Sequence, residues 1–381
     1  MKILICPDKF KESLKARDVA DFIQRGFSRI LPGADYQIVP LADGGEGTVD
    51  VLVSSTNGRI IEARVHDPLM RPIQSFFGIS GDGAKAFIEM SAASGMALLR
   101  PEERDPMITT TFGTGELIRD ALSHNCSEII IGLGGSATVD AGVGMAQALG
   151  VRFTDKLGKE EGKGGGVLNL ITKIDFSELH PQLKRCRIIA ASDVNNVFTG
   201  MSGAARVFGP QKGANPEQVT ILDNNLLHLA GLIKRDCNID LNNTEGSGAA
   251  GGLGGGIVAF LGGEIRRGFD VVAGAVELEK YIRNADLIIT GEGKIDNQTV
   301  HGKTPAGVAR MAAKYKKPVI AFAGTVGESL DELYKTGISV IVPIADKPMS
   351  LEDSMRNAGV LLEAAAERTG RLLLLRKGIL K

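Results

Sequence analysis

Residues 286–304 read DLIITGEGKIDNQTVHGKT: a short apolar run, a loop that mixes glycine with acids and lysines, and Lys303-Thr304 at the mouth of a helical stretch. The run at 286–290 is short and bounded by glycine, as a buried strand of a parallel sheet is. Beyond it come a helix at 304–315, strands at 318–323 (PVIAFA) and 338–343 (ISVIVP), and a stretch at 351–375 that reads as helical throughout. The N-terminus uses the same grammar. Residues 2–6 (KILIC) form an apolar run ending at Pro7-Asp8, and 16–31 carry helical periodicity closed by Pro32-Gly33. Residues 36–42 (YQIVPLA) read as a second strand, followed by DGGEGT and a helix from Thr48 to about Ser55. The two ends together supply five parallel strands joined by helices, the number a flavodoxin-like doubly wound sheet needs.

Residues 59–280 have a different texture. They hold strand-like stretches at 60–65, 73–79, 84–90, 128–132 and 187–192, the earlier ones with alternating polarity, and three dense glycine clusters. The expected fold class is therefore α/β, with a flavodoxin-like doubly wound parallel sheet domain made discontinuous, 1–58 plus 281–381. A second, mixed α/β domain at 59–280 is inserted into it. A chain of 381 residues supports two cores.

Composition narrows the function classes. The formal net charge of -1 supplies no field for nucleic acid or anionic lipid. No run of about 18 apolar residues is present to span a membrane, and Met1 to Phe10 reads as a strand and loop, not a signal peptide. Cys6, Cys126, Cys186 and Cys237 lie far apart without a C-x-x-C, as thiols of a reducing cytosol do, and the five histidines fit no metal spacing. The expected location is cytoplasmic and the expected assembly a homodimer, the commonest symmetric state. Glycine, 49 residues or about 13% against roughly 7% on average, is clustered, which points to a loop-built site.

In an open parallel sheet, ligands bind beyond the carboxyl ends of the strands, at the point where strand order reverses. A flavodoxin-like order sets the first strand between the second and third, so the loops PDKFKESL, DGGEGT and GEGKIDNQTVHGKT would meet there. They carry Asp8, Lys9, Lys11, Asp43, Glu46, Glu292, Asp296 and Lys303. Any one of these is as readily a helix cap or a solvated charge; three such loops at neighbouring strand ends suit phosphoryl transfer. Carboxylates hold Mg²⁺, lysines neutralise phosphate oxygens, and glycine lets backbone N–H groups approach.

The segment 128–150, EIIIGLGGSATVDAGVGMAQALG, runs from a strand through a glycine turn into a helix. Gly132, Gly134 and Ala137, with Asp155 further on, also satisfy a relaxed dinucleotide pattern, which keeps an NAD-dependent hydroxy-acid dehydrogenase as an alternative. A non-catalytic nucleotide- or sugar-acid-binding protein is the third reading. Asp193, in ASDVNNVFTG, stands just beyond an apolar strand and could accept a hydroxyl proton, although a turn-forming Asp looks the same. Lys212 lies between glycines in GPQKGA, as a phosphate contact would, and GSGAAGGLGGG at 246–256 opens another helix. The Walker A loop is excluded because Asn297 occupies its first glycine position, and the protein-kinase signatures are missing.

Nine segments in order, PDKFKESL, PLADGGEGT, IEMSAASG, RDP, FGTGELI, GLGGSATVDAG, FGPQKGA, GAAGGLGGG and ITGEGKIDNQTVHGK, resemble the bacterial type I glycerate kinase family. The resemblance spans residues 2 to about 325 and departs from the family pattern at Ala141, usually Gly, and Val197, usually Pro. It implies transfer of the ATP γ-phosphoryl group to a hydroxyl of D-glycerate with Mg²⁺, tilted to the 2-position, on a flavodoxin-like domain with an inserted α/β domain. Within that reading the residues suggest Asp193 as general base, with Lys9 and Lys11 on the substrate carboxylate or the transferring phosphate. Asp8, Asp43, Glu46, Lys212 and Lys303 would serve substrate and phosphate, and Glu292 and Asp296 the metal. Gly134, Gly135 and Ser136, with Gly251 and Gly252, would cradle ATP. The site is expected in the cleft between the domains, whose closure would exclude water.

Overall fold

The computed structural model describes residues 1–328 and 330–379, and the side chains of all of these except those at 298, 301 and 376–379. In chain order the strands are β1 (Lys2–Ile5), β2 (Asp35–Ile38), β3 (Arg59–His66), β4 (Pro72–Ile79), β5 (Lys85–Glu89), β6 (Glu128–Gly132), β7 (Arg152–Thr154), β8 (Lys173–Asp175), β9 (Arg187–Ala191), β10 (Glu264–Arg266), β11 (Leu287–Ile295), β12 (Val319–Val326) and β13 (Val340–Pro343). The chain divides into two compact units. The first takes Met1–Asp43 and everything from Phe269 onward; the second is the continuous segment Gly44–Gly268.

In the first unit a five-stranded sheet runs β13-β12-β11-β1-β2, every neighbouring pair parallel. Counted within the unit this is order 2-1-3-4-5, that of a flavodoxin-like sheet. Ile3, Leu4 and Ile5 are all at most 1% exposed, the continuous burial of a strand covered on both faces. The helix Ala16–Ile30 turns Val19, Ala20, Ile23 and Phe27 inward and crosses the C-terminal helix Ala358–Ile379 at Gly26. A Cβ on Gly26 would lie 2.3 Å from the Glu363 carbonyl oxygen, so only glycine permits that approach.

In the second unit a six-stranded sheet runs β10-β9-β6-β5-β4-β3. The pairs β3–β4 and β4–β5 are antiparallel, whereas β5–β6, β6–β9 and β9–β10 are parallel. In β3, Ala63 and Val65 are buried while Arg64 and Glu62 are not, the alternation of a strand with one wet face. β7 and β8 form a separate antiparallel pair.

The structure differs from the sequence reading in three places. The unit boundaries fall at 43/44 and 268/269, against 58/59 and 280/281. The helix Thr48–Ser55 packs on β4 and β5 of the second unit, with Val53 and Val49 closing on Gly78 and Glu89 Oε1 accepting from the Val49 N–H at 2.9 Å. On the other side, the Phe269 ring packs on Gly307 of the first unit. β11 continues through Glu292 to Ile295 in register with β12, so the first five residues of the expected loop, 291–295, are strand. The stretch at 351–375 is two helices, Leu351–Arg356 and Ala358–Ile379, parted at Asn357.

Candidate active site

In the first unit, three neighbouring strands deliver their carboxyl ends together. Past the end of β1, the Cys6 N–H bonds Ile289 O and the Asp8 N–H bonds Gly291 O, which fixes Asp8 beside the Gly291-Glu292 step of β11. Asp8 is 5% exposed; Oδ2 accepts from Thr304 Oγ1 at 2.6 Å and Oδ1 from the Lys9 N–H at 2.7 Å. Burial first, then the nearby Asp43 carboxylate, push its pKa well above the usual carboxylate range; the two hydrogen bonds pull back and Glu292 pushes further. Glu292, 7% exposed, is itself raised to about 7 by burial, with Lys303 and the Thr299 hydroxyl opposing, and Asp43 and Asp296 reinforcing. Thr299 Oγ1 donates to Glu292 Oε1 at 2.6 Å, and Lys303 Nζ stands 4.0 Å from the same oxygen. Asp296 pairs with Lys294 at 3.0 Å. Asp8, Asp43, Glu292, Asp296 and Lys303 are thus brought together. Lys9 is half-buried and Lys11 exposed on the loop after β1, which lies over Gly293.

In the second unit the carboxyl ends of β5, β6 and β9 gather around glycine. A Cβ on Gly132 or Gly134 would lie 2.5 Å from Gly44 O or 2.6 Å from Gly45 Cα, so these glycines answer to the DGGEGT turn running over them. Gly135 takes φ +77 and is exposed. Its carbonyl accepts from the Met96 N–H and the Ala137 N–H bonds Ser94 O, while the N–H groups of Gly135 and Ser136 meet no acceptor among the described residues. Two successive amides presented this way make an anion-binding concavity. Ala141 holds φ +56 in the left-handed region, at the position where the family pattern carries Gly.

Asp140, which the sequence reading did not single out, anchors this loop. It is 1% exposed and accepts from the Thr111 N–H and Oγ1 at 2.7 and 2.9 Å, from Thr110 Oγ1, and from the N–H groups of Gly142 and Gly144. Burial pushes its pKa up and these bonds pull it back. The run of buried threonines at 109–111 and the acid inside the glycine motif were its signals. Thr299 and Thr304 went unnoticed for the same reason: a threonine is ordinary until its acceptor is known.

Lys212 is 2% exposed rather than presented to solvent; its Nζ donates to Ser136 Oγ at 2.6 Å and Thr138 O at 2.7 Å. Burial drives its pKa down to about 7 against the pull of Asp140. Gly251 and Gly252 are buried behind the same turn, where a Cβ on Gly251 would lie 1.9 Å from Thr138 O. Asp193 is half-buried beyond β9, with Oδ1 accepting from the Gly268 N–H at 3.1 Å. Glu46 is exposed on the turn ahead of the helix Thr48–Ser55. Asp155 caps its own turn, accepting from the N–H groups of Leu157 and Lys159, which removes the acid that a dinucleotide reading needs for a ribose. Among the described residues no three His, Cys, Asp or Glu side chains converge as a ready metal cage, and no helix is long and apolar enough to cross a membrane.

A sequence model of the Glycerate kinase family matches residues 3–374. The chain belongs to the glycerate kinase family. A glycerate kinase of Bacillus subtilis (strain 168) is 49% identical over 366 residues, 96% of each chain. A glycerate 2-kinase of Escherichia coli (strain K12) is 49% identical over 358 residues, 94% of each chain. Among solved structures, a glycerate kinase 2 candidate from Salmonella typhimurium LT2 superposes with a TM-score of 0.89 at 47% identity, covering 100% of both chains. Members of such a family are phosphotransferases, and the acid-and-lysine cluster and the open amides described above are parts that chemistry uses.

Proposed function

We propose that the chain transfers the γ-phosphoryl group of ATP to the 2-hydroxyl of D-glycerate. The observation that carries the reading is the cluster of Asp8, Asp43 and Glu292, mutually repelling carboxylates flanked by Lys303 at a sheet's switch point. The E. coli relative's name, glycerate 2-kinase, supports the 2-position. An excess of buried negative charge fits a divalent cation, and Mg²⁺ needs only one or two carboxylates because it keeps several waters. Glu292 and Asp296 would hold it, and when bound it would offset charge on the phosphate oxygens.

The chain's own groups do the rest. Asp193 takes the proton as the 2-hydroxyl oxygen bonds phosphorus and the bond from phosphorus to the bridging oxygen breaks, releasing ADP. Lys9 and Lys11 hold the glycerate carboxylate, and Asp8, Asp43, Glu46 and Lys303 order the substrate and phosphate loops. The Gly135 and Ser136 amides receive phosphate oxygens, with Gly134, Gly251 and Gly252 allowing the turn its shape. The four cysteines are free thiols, in keeping with a reducing cytosol.

An ADP-release assay with ATP, Mg²⁺ and D-glycerate, followed by phosphorus NMR of the product, tests this. Turnover with a 2-phosphate signal is expected. A 3-phosphate signal would correct the regiochemistry, and folded protein that releases no ADP would overturn the reading.

A further inference from the structure

Lys212 closes the short turn Pro210–Lys212, and Gly213 behind it takes φ +98 with its α-carbon pressed against the Arg104 carbonyl, which aims the lysine inward. A lysine at 2% exposure is an expensive way to fill space, since an apolar side chain of that length would pack without the cost of desolvating a charge. Its presence there calls for work that a methionine could not do. The ammonium has two acceptors, Ser136 Oγ and Thr138 O, both on the turn that also carries the Gly135 and Ser136 amides. Because Ser136 Oγ accepts from Lys212, the serine's own hydrogen is left to donate elsewhere. Beside it, Thr138 Oγ1 is fully buried and meets no hydrogen-bond partner among the described residues, and Ser94 Oγ is engaged with Thr114 Oγ1 at 2.8 Å.

We infer that Lys212 is a positioning residue that acts through Ser136, holding the 134–138 turn so that the Ser136 hydroxyl and the Gly135 and Ser136 amides converge on a phosphate oxygen of the nucleotide. It does not touch the nucleotide. The lowered pKa of the amine agrees with this geometry, because a group buried behind the turn pays for its charge in lost hydration. The inference rests on the kinase reading above and goes beyond it in assigning the nucleotide turn a hidden cationic support.

The test compares Lys212→Met, Ser136→Ala and the double variant with the wild type in steady-state kinetics, varying ATP and D-glycerate separately, with a thermal melt of each. Lys212→Met and Ser136→Ala should each lower kcat/KM for ATP by about 10–100-fold and leave KM for glycerate within about twofold. That is at or somewhat below the roughly 100–1,000-fold cost of losing one preorganised donor. The double variant should be no worse than the poorer single one, as groups acting through each other are non-additive. Folded Lys212→Met with wild-type kcat/KM for ATP would overturn the inference. So would losses that multiply in the double variant, or a loss that falls on glycerate. Should Lys212→Met fail to fold, Ser136→Ala and Lys212→Gln carry the test, the second keeping N–H donors without the charge. ATP kinetics within twofold of wild type in Ser136→Ala would then refute it. Inactive wild type would sink the kinase reading itself; active wild type with unaffected variants would sink only this inference.

Discussion

Asp8 has both carboxylate oxygens engaged by donors and still carries a pKa well above the ordinary range, because burial and the Asp43 charge outweigh the Thr304 and Lys9 bonds. Between the unfolded value and that raised value the folded protein holds a proton the unfolded chain has lost. Stability on this account is therefore greatest at low pH and falls as pH rises through the window. Asp8→Asn removes the penalty and keeps the contacts, since the amide oxygen can accept from Lys9 N–H and the amide nitrogen can donate to the Thr304 hydroxyl. In the absence of Mg²⁺ and nucleotide, the variant should be more stable than wild type by roughly 1–3 kcal/mol at pH 8, with the gap closing toward pH 5. Its kcat should fall at least about 100-fold, the usual trade of a strained site. Melting curves across that pH range check the first part, and a variant less stable at pH 8 would refute it. Burial likewise pushes Asp140 and Lys212 toward their neutral forms, but there the hydrogen-bond partners belong to one glycine turn and hold it in place.

Glycine does two jobs among these elements, and the amino-acid sequence does not separate them. Gly135 leaves an amide open to solvent, whereas Gly256, in the helix Leu253–Leu261, is there because a Cβ would lie 2.1 Å from Ala141 O. Gly256→Ala should therefore cost about 1–3 kcal/mol by overpacking. Gly231, on the exposed side of the helix Pro216–Cys237, has nothing within 4 Å of a built Cβ. Gly231→Ala should gain roughly 0.5–1 kcal/mol through helix propensity. Urea midpoints of the two variants check both signs, and a neutral Gly256→Ala would mean the helix can slide away from the turn. The same ambiguity marks how far the elements were legible. Apolar runs such as KILIC and EIIIG reported their strands closely, and β2-β1-β11 adjacency followed from the parallel grammar. Gly251 and Gly252 read as a ligand cradle because clustered glycine looks alike whether it faces phosphate or backbone. Lys212 reads as a phosphate contact, and its burial against Ser136 is not legible because that partner lies 76 residues away, a distance no local pattern spans.

The unit boundary was hidden for a related reason: the helix Thr48–Ser55 follows β2 directly, so local grammar assigned it to the wrong sheet. What defines the units is long-range packing. An apolar cluster built on Ile3, Ile5, Phe27, Ile289 and Phe322 serves the first, one built on Phe77, Ile131, Phe153, Leu226 and Ile257 serves the second, and the two share no residue. The second unit also begins and ends at one place, since a Cβ on Gly44 would lie 3.2 Å from Gly268 Cα. A segment with its own core and adjacent ends can leave the chain without pulling a strand from either sheet. The isolated segment 44–268 is therefore expected to fold, with a cooperative urea transition, and residues 1–43 joined to 269–381 by a few glycines and serines should fold as well, because the gap they bridge is short. The isolated segment 44–268 should not transfer phosphate, since the Asp8, Asp43 and Glu292 cluster lies outside it. If 44–268 shows far-UV dichroism without a cooperative transition, its core depends on the rest of the chain and the division into two folding units is wrong. If it folds and titrates with ATP, the nucleotide turn is a property of that unit alone.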